Sequence, residues 1–435
     1  MSEAINISYL ECLLKSWQAK PAESRAWLNQ LRAQAIDCVS TQKLPTKRDE
    51  EWRFTDISPL NTLPYRPSQP NSALKIEDIQ HLFLNEAKNR LVFVDGHFSQ
   101  SLSAIAEPAA LIAGNLSALL STQASILESH LGQHVPFDHN VFAALNTAFL
   151  QDGAVVIVPK NTVIAEPVHL LFIATQREVT SYPRCLLIGE TGSHVTLIED
   201  YATLQQAAYI TNSVTEINLA GNAHAKHIRV QRESAQAFHL ANCAVSLAHA
   251  SNYQSISISL GSQISRYSLD VRLTDEAAEC SIDGLTLISD RQLADTHTCI
   301  DHAKPNGTSH QQHKCIADNA AHAVFNGKII VRPQAQRTNS SQSSRNLLLS
   351  KTAQVDTKPQ LEIFADDVKC SHGATVGQLD QEEIFYLRSR GLSETAARNL
   401  LTYAFGAEII SRIPVSSLRQ QLEQAVLDQT QSNPS

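Results

Sequence analysis

The sequence predicts a mainly β chain with helices at both ends, and three observations predict it. Apolar residues recur at helical spacing near the start, switch to short alternating runs from about residue 153, and return to helical spacing after Gly377. The expected division is an N-terminal helical and mixed region over residues 1–150, a β core over 151–377, and a C-terminal helical domain over 378–435.

The first helix follows from Leu10, Leu13, Leu14 and Trp17, which fall on one face, with Pro21 as its stop. A second carries Leu28, Leu31, Ala35 and Ile36. The charged run Lys47–Thr55 then reads as a solvated face pinned by Trp52 and Phe54. From Ile76 to about Leu150 helical and strand-like pieces mix without a sharp boundary.

In the core, β-rich runs recur at Ala154–Val158, Leu186–Ile188, His194–Ile198, His227–Val230, Ser255–Leu260, Ser281–Ile288, Ile329–Val331 and Leu361–Phe364. Turn residues such as Gly189–Gly192 separate them, and no useful helical pattern interrupts about 220 residues. A sandwich is the competing arrangement, but stacked coils account better for the polar alternation. In a β-helix each short strand pairs with the turn above and below, and the two ends stay open until capped or paired.

Helix returns at Gln381–Leu387 and stops at Gly391, a suitable C′ residue. Ser393 is the expected N-cap of the next helix, which should bury Ala396, Ala397, Leu400, Leu401, Ala404 and Phe405. Beyond Pro414, Ser417–Leu427 forms a short amphipathic helix, and a frayed polar tail begins at Asp428. Such an appendage on a rigid β scaffold resembles a docking handle.

Composition excludes several functions. A net charge of −8 and an isoelectric point near 6.1 give no footprint for nucleic acid. No apolar run reaches the roughly twenty residues a membrane helix needs, and the first twenty residues lack a signal-peptide core, so a cytoplasmic location is expected. The eight cysteines, at 12, 38, 185, 243, 280, 299, 315 and 370, form no C-x-x-C pair and read as reduced thiols. Asn326-Gly327-Lys328-Ile329 lacks the Ser or Thr of a phosphate loop, and His322 stands where its leading Gly belongs, so no nucleotide should bind. No G-x-G-x-x-G, G-x-S-x-G or H-E-x-x-H is present, and no enzymatic activity is expected.

His and Cys carry the remaining chemistry. Cys370 and His372, two apart at the end of a strand-like run, face the same way and can approach one metal or sulfur atom together. A buried Cys beside a His bonded to a carbonyl is the plainer account of such a pair. His297/Cys299 and His313/Cys315 repeat the spacing, with His302 and His310 nearby. These six supply an alternative, a self-sufficient metal-dependent enzyme on a β-helix, although they lack zinc-site spacing and any acid–base pair.

The chain resembles the SufB/SufD family of iron–sulfur cluster assembly proteins. The residues that carry the likeness are Asn346-Leu-Leu-Leu-Ser350, Thr357–Ile363, Ala365–Gly377 with Lys369-Cys-Ser-His372 inside it, and Phe385–Gly391. Val324–Ile329 and Glu51-Trp-Arg-Phe-Thr55 add support. The likeness is strong from about Thr296 to Ala407 and slight before residue 45. Within the family the SufD-like members fit better. SufB-like chains tend to be longer, many carry an N-terminal cysteine motif missing here, and they commonly place an acidic residue soon after the Cys-x-His, where Gly373 stands.

What the resemblance implies is a right-handed parallel β-helix between helical regions and a complex with a SufB homologue and the ATPase SufC. Pairing with SufB would run through the β-helices, and SufC would dock on the C-terminal helices. ATP-driven closure of SufC would then open a site for cluster building. It also implies that His372, a metal ligand assisted by Cys370, helps hold a transient iron–sulfur cluster shared with the partner. A transferable cluster suits mixed ligation donated by two chains. For the SufC contact, Phe385, Tyr386, Arg390 and Tyr403 are the candidates, because aromatic and Arg residues anchor interfaces. The β-helix edge would also serve a homodimer.

Overall fold

The computed structural model describes residues 8–17, 25–62, 65–71, 73–106 and 110–431. Pro21, the expected stop of the first helix, lies outside the described residues, as do the last four residues of the expected tail.

Helices α1 (Tyr9–Trp17) and α2 (Ala26–Thr41) bury Tyr9, Leu13, Leu28, Ala35, Ile36 and Val39. With them packs α3 (Val141–Ala148), every residue of which is buried. Asn140 caps α3 by accepting the Phe142 and Ala143 backbone N–H groups at 3.1 Å each. Asn146 then ties α3 to the β core by donating to the carbonyls of Pro183 and Asn212 at 2.9 and 2.8 Å. The charged run forms a strap across the outside of the core. Trp52 lies between Phe142 and the Arg266 guanidinium, which sits 4.0 Å from its ring centroid. Buried Thr55 donates to Asp295 at 2.6 Å.

The core is a parallel β-solenoid of about eight turns. Its strands alternate between two long sheets, each strand pairing in parallel with the strands one turn before and one turn after. His224 pairs with Asn252, Asn252 with Glu279, Glu279 with Thr308, Thr308 with Asn339 and Asn339 with Lys369, so the turns take 28, 27, 29, 31 and 30 residues. Two residues before each of the first five of these strands one residue has positive φ: Asn222, Ala250, Ala277, Asn306 and Arg337. Asn accepts that left-handed conformation readily, whereas Ala and Arg adopt it at a cost the stacked turns must offset.

One end of the solenoid is covered. Asn89–Val94 pairs in parallel with Val168–Ala174 and carries His97–Phe98 as an antiparallel flap. Ile112–Asn115 pairs antiparallel with Ala154–Val158 on the other sheet. Phe93, Phe172 and Tyr201 stack through these first turns at centroid distances of 5.2 and 4.9 Å.

Seven strands make the far half: β1 (Glu279–Ile288), β2 (Leu293–His302), β3 (Thr308–Ala317), β4 (His322–Val331), β5 (Asn339–Leu348), β6 (Gln354–Ile363) and β7 (Lys369–Gly377). The even-numbered ones belong to one sheet and the odd-numbered ones to the other. Beyond β7 the chain turns back along the outside of the odd sheet as α4 (Gln381–Ser389), α5 (Glu394–Ile410) and α6 (Ser416–Gln431). Gly391 takes φ +96°, and the Ser393 side chain caps α5, both as expected. Burial on α5 differs from expectation. Ala397 is buried and Leu401 and Phe405 are half-buried, but Ala396, Leu400 and Ala404 face solvent. The helix is rotated so that Ala397, Thr402, Gly406, Ile409 and Ile410 meet the sheet, where Lys314 and Arg412 fix it. Lys314 donates to Glu408 and to the Phe405 carbonyl at 2.5 and 2.9 Å, and Arg412 to Asp283 at 2.5 Å. Helix α6 runs past Asp428 to Gln431, so the expected tail is helical over those residues.

Candidate functional site

Among the described residues the far end of the solenoid has no cap. Strand β6 pairs only with β4, and β7 only with β5, so among the described residues the outer edges of both strands have no β partner. Free edges of this kind invite pairing by another chain. Inside β5, Ser340, Gln342, Ser344 and Asn346 point into the lumen and are buried. Their in-register neighbours on β7 are Cys370, His372, Ala374 and Val376. With no turn above them these same lumen positions open to solvent: His372 is exposed and Val376 is 51% exposed. Ile363 and Phe364 at the end of β6 add apolar surface to the rim.

The structure thus brings Cys370 and His372 onto one face of one strand, as their spacing requires. Cys370 is half-buried and packs toward Ile329, Val331, Ala335 and Ala365. Burial pushes its thiol up, partly opposed by the Ser340 backbone hydrogen bond. Among the described residues no three His, Cys, Asp or Glu side chains gather closely enough to hold a metal ion. Cys370 and His372 stand two apart on one strand face, with no third such side chain close by among the described residues.

The six residues of the alternative reading do not meet. His297 and Cys299 lie on the outside of β2 beneath the strap, where His297 reaches Glu51 at 3.2 Å and Asp295 at 2.9 Å. Burial acts to lower His297, but Asp295 and Glu51 hold it above the usual imidazole value. Burial pushes the Cys299 thiol up to about 12. A groove of about 900 Å³ opens here, lined by Trp52, Phe142, Arg266, Asp270, Cys299 and Lys328 among others. His310 is on the outside of the other sheet, exposed, with Ser341 Oγ at 2.8 Å. His302, His313 and Cys315 point inward. His302 Nε2 meets Ser309 Oγ at 2.8 Å, and burial brings this imidazole down to about 4. His313 stacks on Phe325 at 4.5 Å and is brought down to about 3. Burial takes Cys315 up to about 12. These three are buried core groups, and His302 Nδ1 has no hydrogen-bond partner among the described residues.

Deeper in the lumen, charged residues are paired. Glu199 lies 3.2 Å from His227 and accepts from Thr215 and Tyr201 at 2.8 and 2.9 Å. Burial alone would raise its carboxyl, yet His227 and these donors bring it down to about 2. Glu233 and His239 are 2.6 Å apart, with Arg229 at 2.5 Å from the other ring nitrogen. Outside the lumen, on the outer face of the even sheet beneath α3, Arg184 and Glu216 pair with both side chains buried.

On the C-terminal helices Phe385 and Tyr386 are 73% and 57% exposed, and Arg390 lies over the Tyr386 ring at 5.4 Å. Tyr403 is partly buried and packs against the core of the helical layer. Leu400 joins the exposed apolar surface, a placement its helical spacing alone did not reveal. Sequence reasoning also missed Gln342, because Asn339-Ser-Ser-Gln-Ser-Ser lacks the apolar alternation that marks a strand.

Residues 172–405 match the family model for the SUF system FeS cluster assembly SufBD core domain, and residues 3–170 match that for the SufBD protein N-terminal region. An iron–sulfur cluster assembly SufBD family protein of Synechocystis is 41% identical over 407 residues, covering 91% of this chain and 89% of the relative. The iron–sulfur cluster assembly protein SufD of Escherichia coli is 34% identical over 383 residues, covering 87% and 88%. Protein ABCI7 of Arabidopsis thaliana, named as chloroplastic, is 29% identical over 434 residues, covering 97% and 90%.

Proposed function

The chain belongs to the SufBD family of iron–sulfur cluster assembly proteins, and from that premise we propose that it is a non-catalytic scaffold subunit whose open solenoid end completes a cluster site with a SufB homologue. The observation that carries the reading is the unpaired edge of β6 and β7 with His372 exposed beside it. A second solenoid can extend both sheets by β-augmentation, and doing so would cover Ile363, Phe364 and Val376.

His372 then supplies one imidazole at the seam, assisted by Cys370, and the partner supplies the remaining ligands. Iron and sulfide are cargo at this seam, so an incomplete ligand set is an asset: a site that closes only in the assembly can also reopen. The SufC ATPase would dock on the exposed surface of α4 and α5 around Phe385, Tyr386 and Arg390, where aromatic and guanidinium groups lie together without a partner element. Lys314 and Arg412 bolt α5 to β1 and β3, so force applied to those helices reaches the sheet that ends in β7. The site would work in the cytoplasm. No helix among the described residues is long and apolar enough to cross a membrane.

Substitution tests the reading. Wild-type and His372→Ala chains are co-produced with their SufB and SufC homologues, the complexes recovered, and iron and sulfide measured. Both should recover both partners, with cluster content at least about tenfold lower in the variant. Equal cluster content would make His372 a passive residue, and loss of both partners from the wild type would remove the scaffold role.

A further inference from the structure

Directly beneath His372, the lumen holds a side chain with nothing to bond. Gln342 of β5 is the in-register neighbour of His372, and Gln311 of β3 is the neighbour of Gln342 one turn further in. Gln311 is engaged: its amide nitrogen donates to Thr298 Oγ1 at 2.6 Å and lies 3.0 Å from His313 Nε2. Gln342 is 3% exposed, and neither its amide nitrogen nor its carbonyl oxygen has a hydrogen-bond partner among the described residues. An unpaired buried polar group costs about 1–3 kcal/mol.

The side chain has been given room for this. Gln342 crosses the lumen to the even sheet, where a Cβ on Gly327 would overlap its amide. The glycine in Val324–Ile329 has no phosphate to cradle. It clears space for a side chain from the opposite sheet. The residue stacked on Gln342 on the open side is His372, whose strand runs one spacing of about 4.8 Å away.

We propose that Gln342 is a positioning residue for His372. When the imidazole turns into the lumen its N–H donates to the Gln342 carbonyl oxygen, which fixes one tautomer and leaves the other ring nitrogen facing the open end. Metal-binding histidines commonly have their second ring nitrogen held in this way, and that bond decides which nitrogen is free to ligate. The inference rests on the reading of His372 as an interfacial ligand, and it adds the group that makes the ligand ready before the partner arrives.

The test uses the full-length chain alone, labelled with ¹⁵N-histidine at a pH where imidazole is neutral. Long-range proton–nitrogen correlations report the tautomer, and His372→Asn identifies the His372 signals. Wild type should show a single His372 tautomer. Gln342→Leu should shift it to the mixture of a free imidazole, and Gln342→Glu, which keeps the acceptor, should retain the single form. Gly327→Ala displaces the amide without removing it and should reproduce Gln342→Leu, so the question stays answerable if Gln342→Leu does not fold. His239 signals, far deeper in the lumen, should be unchanged. A free-imidazole mixture at His372 in the wild type, or unchanged His372 shifts in both folded variants, overturns the proposal. The readout needs neither partner nor iron, so it judges Gln342 separately from the His372→Ala experiment, which judges the ligand reading.

Discussion

The middle of the solenoid and its open end use the same residue types in opposite ways. In the middle turns His, Glu and Arg point into the lumen and find one another: Glu199 with His227, and Glu233 with His239 beside Arg229. At the last turn His372 and Cys370 occupy equivalent lumen positions, but no further turn covers them. Chemistry in this fold therefore depends less on which residues are present than on where the stack of turns stops. A histidine two turns in is part of the wall, and one at the rim is left exposed.

That contrast can be broken from the sealed side first. Removing one partner of a buried pair strands the other, so Glu199→Ala should lower unfolding free energy by about 3–5 kcal/mol, read as a fall in urea midpoint. His372→Ala should leave that midpoint within about 0.5 kcal/mol of wild type, as for an exposed residue. Equal losses at both positions would erase the distinction between wall and rim.

Acid should act on the sealed side as well. His302 stays neutral in the folded chain down to about 4, whereas the unfolded chain protonates it near 6.5. A base whose folded value is depressed contributes stability that is whole above the unfolded value and is lost as pH falls toward the folded one. Between pH 6.5 and about 4 the loss from this residue should approach about 3 kcal/mol. Urea titrations across that window should show the slope in wild type and a flatter one in His302→Leu. An identical slope in both would assign the acid sensitivity elsewhere.

Smaller effects belong to the exposed helices. Phe385→Ala with Tyr386→Ala should weaken capture of the SufC homologue by about tenfold or more, since truncating an anchor costs about 2 kcal/mol. Thermal stability should hardly move. Capture at wild-type strength would shift the docking surface away from α4.

Much of this architecture was legible before any coordinates. Helical spacing found α1, α2 and α5, while Ser393 marked the start of α5 and Gly391 the end of α4, because caps are local and chemically specific. The pairing of Cys370 with His372 followed from strand geometry alone. The turn length did not show itself, for a physical reason. Five corners of one sheet place a left-handed residue two positions before the strand, but Asn222, Ala250, Ala277, Asn306 and Arg337 fill that place with no common chemistry, at spacings that vary from 27 to 31. Lumen strands such as Asn339–Leu348 hid for another reason: their inward positions are Ser, Gln and Asn, so burial left no apolar alternation to read. Gln342 and the role of Gly327 depend on a crossing between two sheets and become visible only once the turns are stacked.

The most direct test of the open end is backbone hydrogen exchange in the isolated chain and in complex with its SufB homologue. Amides of Gln354–Ile363 and Lys369–Gly377 that lack a partner strand should exchange quickly alone and become protected by at least about tenfold on assembly, while those of Ile210–Leu219 stay slow throughout. Protection confined to the C-terminal helices, with β6 and β7 unchanged, would contradict the claim that this edge is where the cluster site is completed.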